Sequence, residues 1–516
     1  MTMTLKDYPI LRLAIPLATG IFFARKFHPY LSMEWMCGSI IVLMLFISVF
    51  LWLHNFRYRW CFGAFVFLLF FGLGAFRMIY QWDKINVNWP EGEHDYVATV
   101  MEPPIEKPKS IWCKVALYEG QNAYLYLAKD SFAYNVTMGD GLMFHTRMRR
   151  PGNEGLPFDY ASYLLCKGIS GTAYVPSGYW KRMSCTGTLS FKQKAMAVRE
   201  KIVHQYREWG IEEKQLPILS ALTVGYKTDL SDEVRDTYSV AGISHVLALS
   251  GMHIGFWWLM MGVLLKPLDR KGLRWIKWSL SSVLLWAFAF ISGLEASVVR
   301  AVIMCMMMEF GHLLGGKSLS MNTLSIAAFF MLMYNPCYLY EVGFQLSFLA
   351  VLSILLFYHR FYALCPFQHP LFRSVWGVMS VSMAAQLGTA PLVMYYFSNF
   401  SVYFLLANLG VALLVPCIIY TAFASMVLVY LPCLQRWLVM VLNKMVEMLN
   451  SFAGWISELP YASLSVINLH QVEVWGVYLL LGLAWWYSVV RKRRIFIALL
   501  ATMAGWLALH CCLILK

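Results

Sequence analysis

The chain has 516 residues, of which 59% are hydrophobic, 16% aromatic and only 14% charged, and its mean hydropathy is +0.57. Soluble globular chains are about half apolar and about a quarter charged. This excess requires a second apolar solvent, a bilayer, and it excludes a disordered chain, a disulfide-stapled mini-domain and an ordinary soluble enzyme. The 42 Lys and Arg against 28 Asp and Glu leave a net charge of +14, which suits anionic lipid headgroups, an anionic substrate, or both.

Crossing about 30 Å of hydrocarbon takes about 20 mainly apolar residues per helix. Such runs begin at 9–24, 36–54 and 61–80. They resume at 245–265, 276–291, 298–314, 319–334, 340–358, 375–397, 402–431, 437–459, 474–490 and 496–515. The pattern predicts a polytopic α-helical membrane protein with roughly a dozen transmembrane helices. The 437–459 run carries Asn443, Lys444, Glu447 and Asn450, so it either crosses, lies along the interface or lines a wet cavity. The first run is not expected to be a cleaved signal peptide, because further spans follow it.

Lys266, Arg270, Lys271, Arg274 and Lys277 crowd one short connection, and Arg491, Lys492, Arg493 and Arg494 crowd another. Positive charge concentrates on the cytoplasmic side. Counting back from Lys266 then puts the amino terminus inside and 83–240 outside. Both basic loops share a side only if 437–459 crosses.

Between 83 and 182 the chain changes character. Alternating runs at 97–100, 111–117, 123–128, 142–147 and 171–175, broken by Gly, Pro, Asn and Asp, predict a small β-barrel or sandwich. Residues 191–206 follow with a helical apolar/basic pattern, expected at the membrane surface or as a link between the two parts. The division expected is 1–82 (amino-terminal transmembrane helices), 83–185 (extracytoplasmic β-rich domain), 186–240 (amphipathic linker helices) and 241–516 (transmembrane channel domain).

The most informative stretch is AGISHVLALSGMHIG at 241–255. Ser244, Ala248, Gly251 and Gly255 are spaced as one small-residue stripe for close helix packing. Ser250-Gly251 also allows a break whose freed backbone faces a cavity. His245, Ser250 and His253 need partners or water at membrane depth; without nearby carboxylates or cysteines they make a poor metal set. Helix packing, with the histidines bonded to neighbours, accounts for the stretch as well as a functional site does.

This stretch resembles the signature of the ComEC-type competence proteins, H-L-L-A-I-S-G-L-H-V-G. In the same order, Ser297-Val298-Val299-Arg300-Ala301 resembles the family's S-x-x-R-A segment. Asn335-Pro336 with GFQLSF at 343–348, then Ala385-Gln386-Leu387, Pro391, Phe400-Ser401 and Leu406-Ala407-Asn408 resemble the blocks that follow. Phe158-Asp159-Tyr160, Tyr163-Leu164 and Lys167-Gly168-Ile169 are similar to the end of the family's external domain. The resemblance implies an inner-membrane channel that brings DNA, one strand, into the cytoplasm in natural transformation. It also implies that the external domain is an oligonucleotide-binding (OB-like) barrel. The residues placed along the channel are His245, Ser250, Gly251, His253, Gly255, Arg300, Gln345, Ser347, Gln386 and Asn408.

The residues themselves leave alternatives. Arg300, near a helix start, needs an anion: an internal one, Glu295 or Glu309, or a passing phosphate gripped by two parallel bonds. Gln345, Ser347, Gln386 and Asn408 suit interhelical hydrogen bonds or a hydrated path. Outside, 84–201 carries 15 Lys and Arg against 11 Asp and Glu, a mildly basic balance. The local clusters are Lys107 with Lys109, Arg147 with Arg149 and Arg150, and Lys181 with Arg182. They lie near Trp112, Tyr124, Tyr126, Phe144, Tyr174 and Trp180, as in single-strand grooves, or simply as a charged face over an aromatic core. Cys113, Cys166 and Cys185 leave room for one disulfide whose pairing stays open.

The run GHLLGGKS at 311–318 satisfies the phosphate-loop pattern, but an apolar Met-rich span precedes it where the mechanism needs a strand. It reads as a glycine-rich turn. Nothing resembles the His/Asp-rich metal motif of the metallo-β-lactamase-like domain that many relatives carry. No enzyme activity, no metal and no cofactor are therefore expected. Expected partners are single-stranded DNA, membrane lipids, a periplasmic DNA receptor, a cytoplasmic ATPase, helicase or strand-binding protein, and further copies of the chain. The reading from another class is a secondary transporter or an envelope-polymer exporter with a periplasmic domain; a transporter should show inverted repeats, and none is evident.

Overall fold

The computed structural model describes residues 8–514 apart from 31, 53–58, 119, 154–158, 184–189, 271, 315–319, 367 and 465–468. The chain opens with α1 (Leu11–Phe27), α2 (Met33–Trp52) and α3 (Arg59–Ile85). α1 and α3 meet backbone to backbone: a side chain at Gly20 would strike the Phe71 carbonyl, and one at Gly74 the Leu17 carbonyl. Glycine is needed at both places because no rotamer relieves a clash with backbone. Gly74→Leu should therefore cost at least the roughly 1–3 kcal/mol of an overpacked core, seen as a lower melting temperature of the detergent-solubilised chain.

The β-rich part runs β1 (His94–Val100), β2 (Ile105–Glu106), β3 (Ser110–Leu117), β4 (Asn122–Ala128), β5 (Gly141–Thr146), a short α4 (Tyr160–Cys166), β6 (Ile169–Val175) and β7 (Trp180–Met183). The strand order is β6-β4-β3-β1-β5-β7, with β2 on β3. β4 and β6 are parallel; the other named pairs are antiparallel. Ile111, Cys113, Val115 and Leu117 face the core and alternate with outward residues, the two-residue period that the sequence displays.

The result is a mixed sheet, with no closed ladder of the kind expected of a barrel among the described residues. β7 takes the edge of β5 over Gly141–Phe144. Beyond the end of β5, Arg149 joins Thr172 of β6 in an isolated two-bond bridge, and Thr146 Oγ1 at the end of β5 donates to the Tyr174 carbonyl at 2.9 Å. β2, β7 and α4 had no counterpart in the sequence reading.

Next comes α5 (Phe191–Glu208), the expected amphipathic helix, opened by a Ser190–Gln193 capping box. It is clasped to the sheet: Gln193 Nε2 donates to the Val100 carbonyl at 3.1 Å. Glu102 accepts from Lys114 at 2.7 Å and lies 3.8 Å from Lys192. Burial opposes ionisation of Glu102, but Lys114, Lys192 and Arg199 outweigh it and hold the carboxyl below its ordinary value. A depressed carboxylate contributes stability above its unfolded pKa and loses it as pH falls. The junction should weaken as pH drops below the ordinary carboxylate range, and Glu102→Gln should flatten that part of a melting-temperature profile against pH.

The membrane portion continues with α6 (Leu216–Val224), α7 (Asp232–Val240), α8 (Ser244–Leu247), α9 (Gly251–Leu264), α10 (Arg274–Ile291), α11 (Ala296–Leu313) and α12 (Ser320–Tyr334). It ends with α13 (Val342–Leu364), α14 (Pro370–Phe397), β8 (Phe400–Ser401), α15 (Phe404–Val427), α16 (Pro432–Ser457), β9 (Ser463–Leu464), α17 (Gln471–Val490) and α18 (Arg493–Ile514). All of α6 except the half-buried Pro217 is buried, and its apolar side chains share one core cluster with α15 and α16. α16 buries Val439, Leu442, Val446, Leu449, Ala453 and Ile456 in the same core, with α15. β8 pairs with β9, which brings the loops beyond α14 and α16 together and makes α15 and α16 run the bundle in opposite directions.

Among the described residues, eight helical stretches are long and apolar enough to cross a membrane, fewer than the dozen expected. α9 and α12 are apolar but short, α1 has 17 residues, and α10 and α16 carry charged residues. Leu45, Val283, Leu413 and Met440 are each more than half exposed on these helices, an arrangement stable only against lipid. The chain is a multi-pass membrane protein.

Candidate functional site

The helix expected over 245–265 is interrupted. Ala248 (φ −96°, ψ 127°) and Ser250 (φ −111°, ψ 170°) are extended, so Ser244, Ala248, Gly251 and Gly255 do not form one stripe. The break is local chemistry: the Ser250 N–H donates to His253 Nδ1 at 3.2 Å, and Ser250 Oγ stands 3.0 Å from the same nitrogen. A side chain thus replaces the backbone acceptor that a continuous helix would supply. Gly242 (φ 81°), before α8, sits against Ser401 so closely that a side chain there would collide.

The SVVRA segment folds onto this break. Ser297 Oγ donates to the Leu249 carbonyl at 2.7 Å, which seats the first turn of α11 beside the start of α9. One turn on, Arg300 is 5% exposed, and a Cβ at Gly251 would lie 2.8 Å from its Nη2. Two motifs some fifty residues apart therefore build one site.

The internal ion pair expected for Arg300 is not made. Glu295 binds Lys227 at 2.5 Å, and Glu309 accepts from Trp258 Nε1 at 3.4 Å. Arg300 lies over the Phe348 ring at 5.6 Å, and its Nε and Nη1 find no acceptor among the described residues. His253 is fully buried and its Nε2 is equally unpartnered. Since Nδ1 accepts from Ser250, the neutral ring carries its proton on Nε2. The site is rich in donors and poor in acceptors.

The other named residues are dispersed. His245 is exposed on α8, and Gly255 borders open space. Gln345 is bonded at both ends of its amide: Tyr396 Oη donates to Oε1 at 3.0 Å, and Nε2 donates to the Leu339 carbonyl at 2.9 Å. Ser347, Gln386 and Asn408 are half-buried, and no hydrogen bond among the described residues joins them to the break.

On the sheet, two of the basic residues are engaged internally. Arg150 donates to the Val87 carbonyl at 3.1 Å and to Asn88; Arg182 binds Asp140 at 2.8 Å and the Asn135 carbonyl at 3.1 Å. Lys109, Arg147, Arg149 and Lys181 are exposed, and Lys107 Nζ stands 5.9 Å from the Trp112 ring centre. Phe144, Trp180 and Tyr124 are buried. Trp112, Tyr126 and Tyr174 are register neighbours across β3, β4 and β6; Trp112 and Tyr126 are half-buried beside Tyr124, Leu164 and Ile169, and Tyr174 is exposed. Alternation within each strand was readable; which strands adjoin, and in what register, was not.

Cys113 and Cys166 are free and buried, in separate clusters; Cys185 lies outside the described residues. Burial pushes the Cys113 thiol up to about 12, so it should resist alkylation at pH 8 in the folded chain and react once unfolded, as mass spectrometry would show. Among the described residues no three His, Cys, Asp or Glu converge as metal ligands. The start of the GHLLGGKS run ends α11, a helix and not a strand; 315–318 lie outside the described residues.

A family model described as "Competence protein" matches residues 222–491. The chain is 28% identical over 409 residues to "ComE operon protein 3" of Bacillus subtilis (strain 168), covering 76% of this chain and 49% of that protein. It is 29% identical over 197 residues to an uncharacterized protein of Aquifex aeolicus (strain VF5), covering 38% of this chain and 44% of the other. The chain spans about half the length of the curated relatives it matches. No solved structure matches.

Proposed function

The chain belongs to the ComEC-type competence protein family, and from that premise we propose that it forms a hydrated conduit bringing DNA, as a single strand, through the inner membrane into the cytoplasm during natural transformation. A phosphate in hydrocarbon costs many kcal/mol, so a strand must move past protein donors and water. The observation that carries the reading is the α8–α9 break, where buried Arg300 and His253 present donors that no group among the described residues accepts from.

The strand enters from the sheet, which lies outside. The strand order, the parallel β4–β6 pair and the Arg149–Thr172 bridge support reading the sheet as OB-like. Trp112, Tyr126 and Tyr174 offer stacking faces, with Lys107, Lys109, Arg147, Arg149 and Lys181 as exposed cations. The basic loops after α9 and before α18 face the cytoplasm, an orientation supported by the opposed run of α15 and α16 and the β8–β9 pairing.

No chemical step is assigned to the chain. Force comes from a cytoplasmic ATPase or helicase, the proton gradient or capture by strand-binding proteins, and delivery from a periplasmic receptor. In cells lacking the chain, uptake of labelled DNA into the cytoplasm should stop while binding of DNA at the cell surface continues. Undiminished cytoplasmic uptake would refute the proposal.

A further inference from the structure

Two helix amino termini converge at the break. α9 starts at Gly251 and α11 at Ala296, and each carries a partial positive charge from its unsatisfied N–H groups. Arg300 stands between them, 5% exposed, with Nε and Nη1 unpartnered. A full cation buried against two positive helix ends is unfavourable by each of these terms unless an anion compensates. The acid at the start of α11, Glu295, is already neutralised by Lys227 at 2.5 Å. His253, in α9's first turn, adds a buried Nε2 donor with no partner among the described residues.

The shape is as particular as the charge. Glycine at 251 lets the guanidinium lie close against the start of α9, since a Cβ there would stand 2.8 Å from Nη2. Phe348 supports the guanidinium 5.6 Å from its ring centre, and the Ser297–Leu249 bond fixes α11 against the break at 2.7 Å. These are the kinds of group an oxyanion site uses: a guanidinium fork, a neutral N–H donor and a helix amino terminus.

We propose that this break binds one tetrahedral phosphate oxyanion, that of a phosphodiester, through Arg300, His253 Nε2–H and the first-turn N–H groups of α9. The proposal deepens the conduit reading, on which it rests for its ligand: the site is a single waypoint that grips one phosphate at a time, while the half-buried amides elsewhere let the rest of the strand pass. A lipid headgroup offers the same chemistry as a nucleic acid backbone, so the source is decided by competition.

The test uses the full chain in dodecyl maltoside, which contributes no phosphate, with inorganic phosphate as the probe read by melting temperature and calorimetry. Phosphate should raise the melting temperature of the unmodified chain by several degrees and that of Arg300→Met by less than one. Arg300→Lys keeps the charge but loses the fork, and should bind at least tenfold more weakly while folding normally, as should His253→Gln. Equal phosphate binding by the unmodified chain, Arg300→Lys and His253→Gln overturns the site, whether or not Arg300→Met folds. Oligothymidylate displacing phosphate assigns the site to nucleic acid, and phosphatidylglycerol alone displacing it assigns the site to lipid; either supports an oxyanion site. If the variants lose phosphate binding yet DNA uptake is untouched, the site stands and the conduit reading fails. If uptake falls while phosphate binding is unchanged, the site fails.

Discussion

Gly251→Val should lower DNA uptake by about ten- to a hundred-and-fifty-fold while the chain still folds and reaches the membrane. The added Cβ meets the end of a flexible side chain, Arg300 Nη2 at 2.8 Å, and not backbone. The fold therefore loses no more than the roughly 1–3 kcal/mol of a tolerated overpacking. The guanidinium is moved from its place beside α9, and a hydrogen bond to a charged group is worth about 1.5–3 kcal/mol, which sets the range given. Transformation frequency normalised to the amount of protein in the membrane reads the effect. Gly262→Val, on the same helix with open space around it, should leave uptake within a factor of two.

Removing the aromatic row should weaken single-strand binding more than a hundredfold. Trp112, Tyr126 and Tyr174 are neighbours on one face, and base–aromatic stacking is worth about 1–3 kcal/mol per base. Even at about 1 kcal/mol each, the triple alanine variant loses about 3 kcal/mol, two decades in affinity. Fluorescence anisotropy of a labelled oligonucleotide with the full chain measures it. The unmodified chain should bind less tightly as salt rises, because displaced counterions accompany each phosphate contact. Alanine at Phe144 or Trp180 should instead unfold the sheet, since those rings fill its core.

The bundle was legible because a membrane span is written in one variable, apolar length, and the strands because alternation repeats every second residue. The run 245–265 is interrupted at Ser250-Gly251, one of the two readings the stretch allowed, and composition does not choose between them. A serine N–H found a histidine nitrogen three residues on, and local hydrogen bonding outweighed a run of apolar residues. α6 reads as linker among polar neighbours, yet all of it but the half-buried Pro217 is buried. The site was legible only in halves. Ser250, Gly251 and His253 stood in one motif and Ser297 and Arg300 in another, but their meeting, and the diversion of Glu295 to Lys227, depend on packing that no local pattern encodes. Arg150 and Arg182 looked like nucleic-acid contacts and are bonded within the domain, because a cation's partner is chosen by the tertiary fold.

That DNA passes the α8–α9 break can be tested with two introduced cysteines, one in each of two variants. Ser250→Cys places a thiol at the half-buried break and Val283→Cys one on an exposed face of α10. Each is labelled with a small thiol reagent while DNA bearing a blocked trailing end is stalled in transit. Labelling at 250 should fall severalfold when DNA is stalled and recover when it is digested, with 283 unaffected. Equal labelling at 250 with and without stalled DNA would contradict a path through the break.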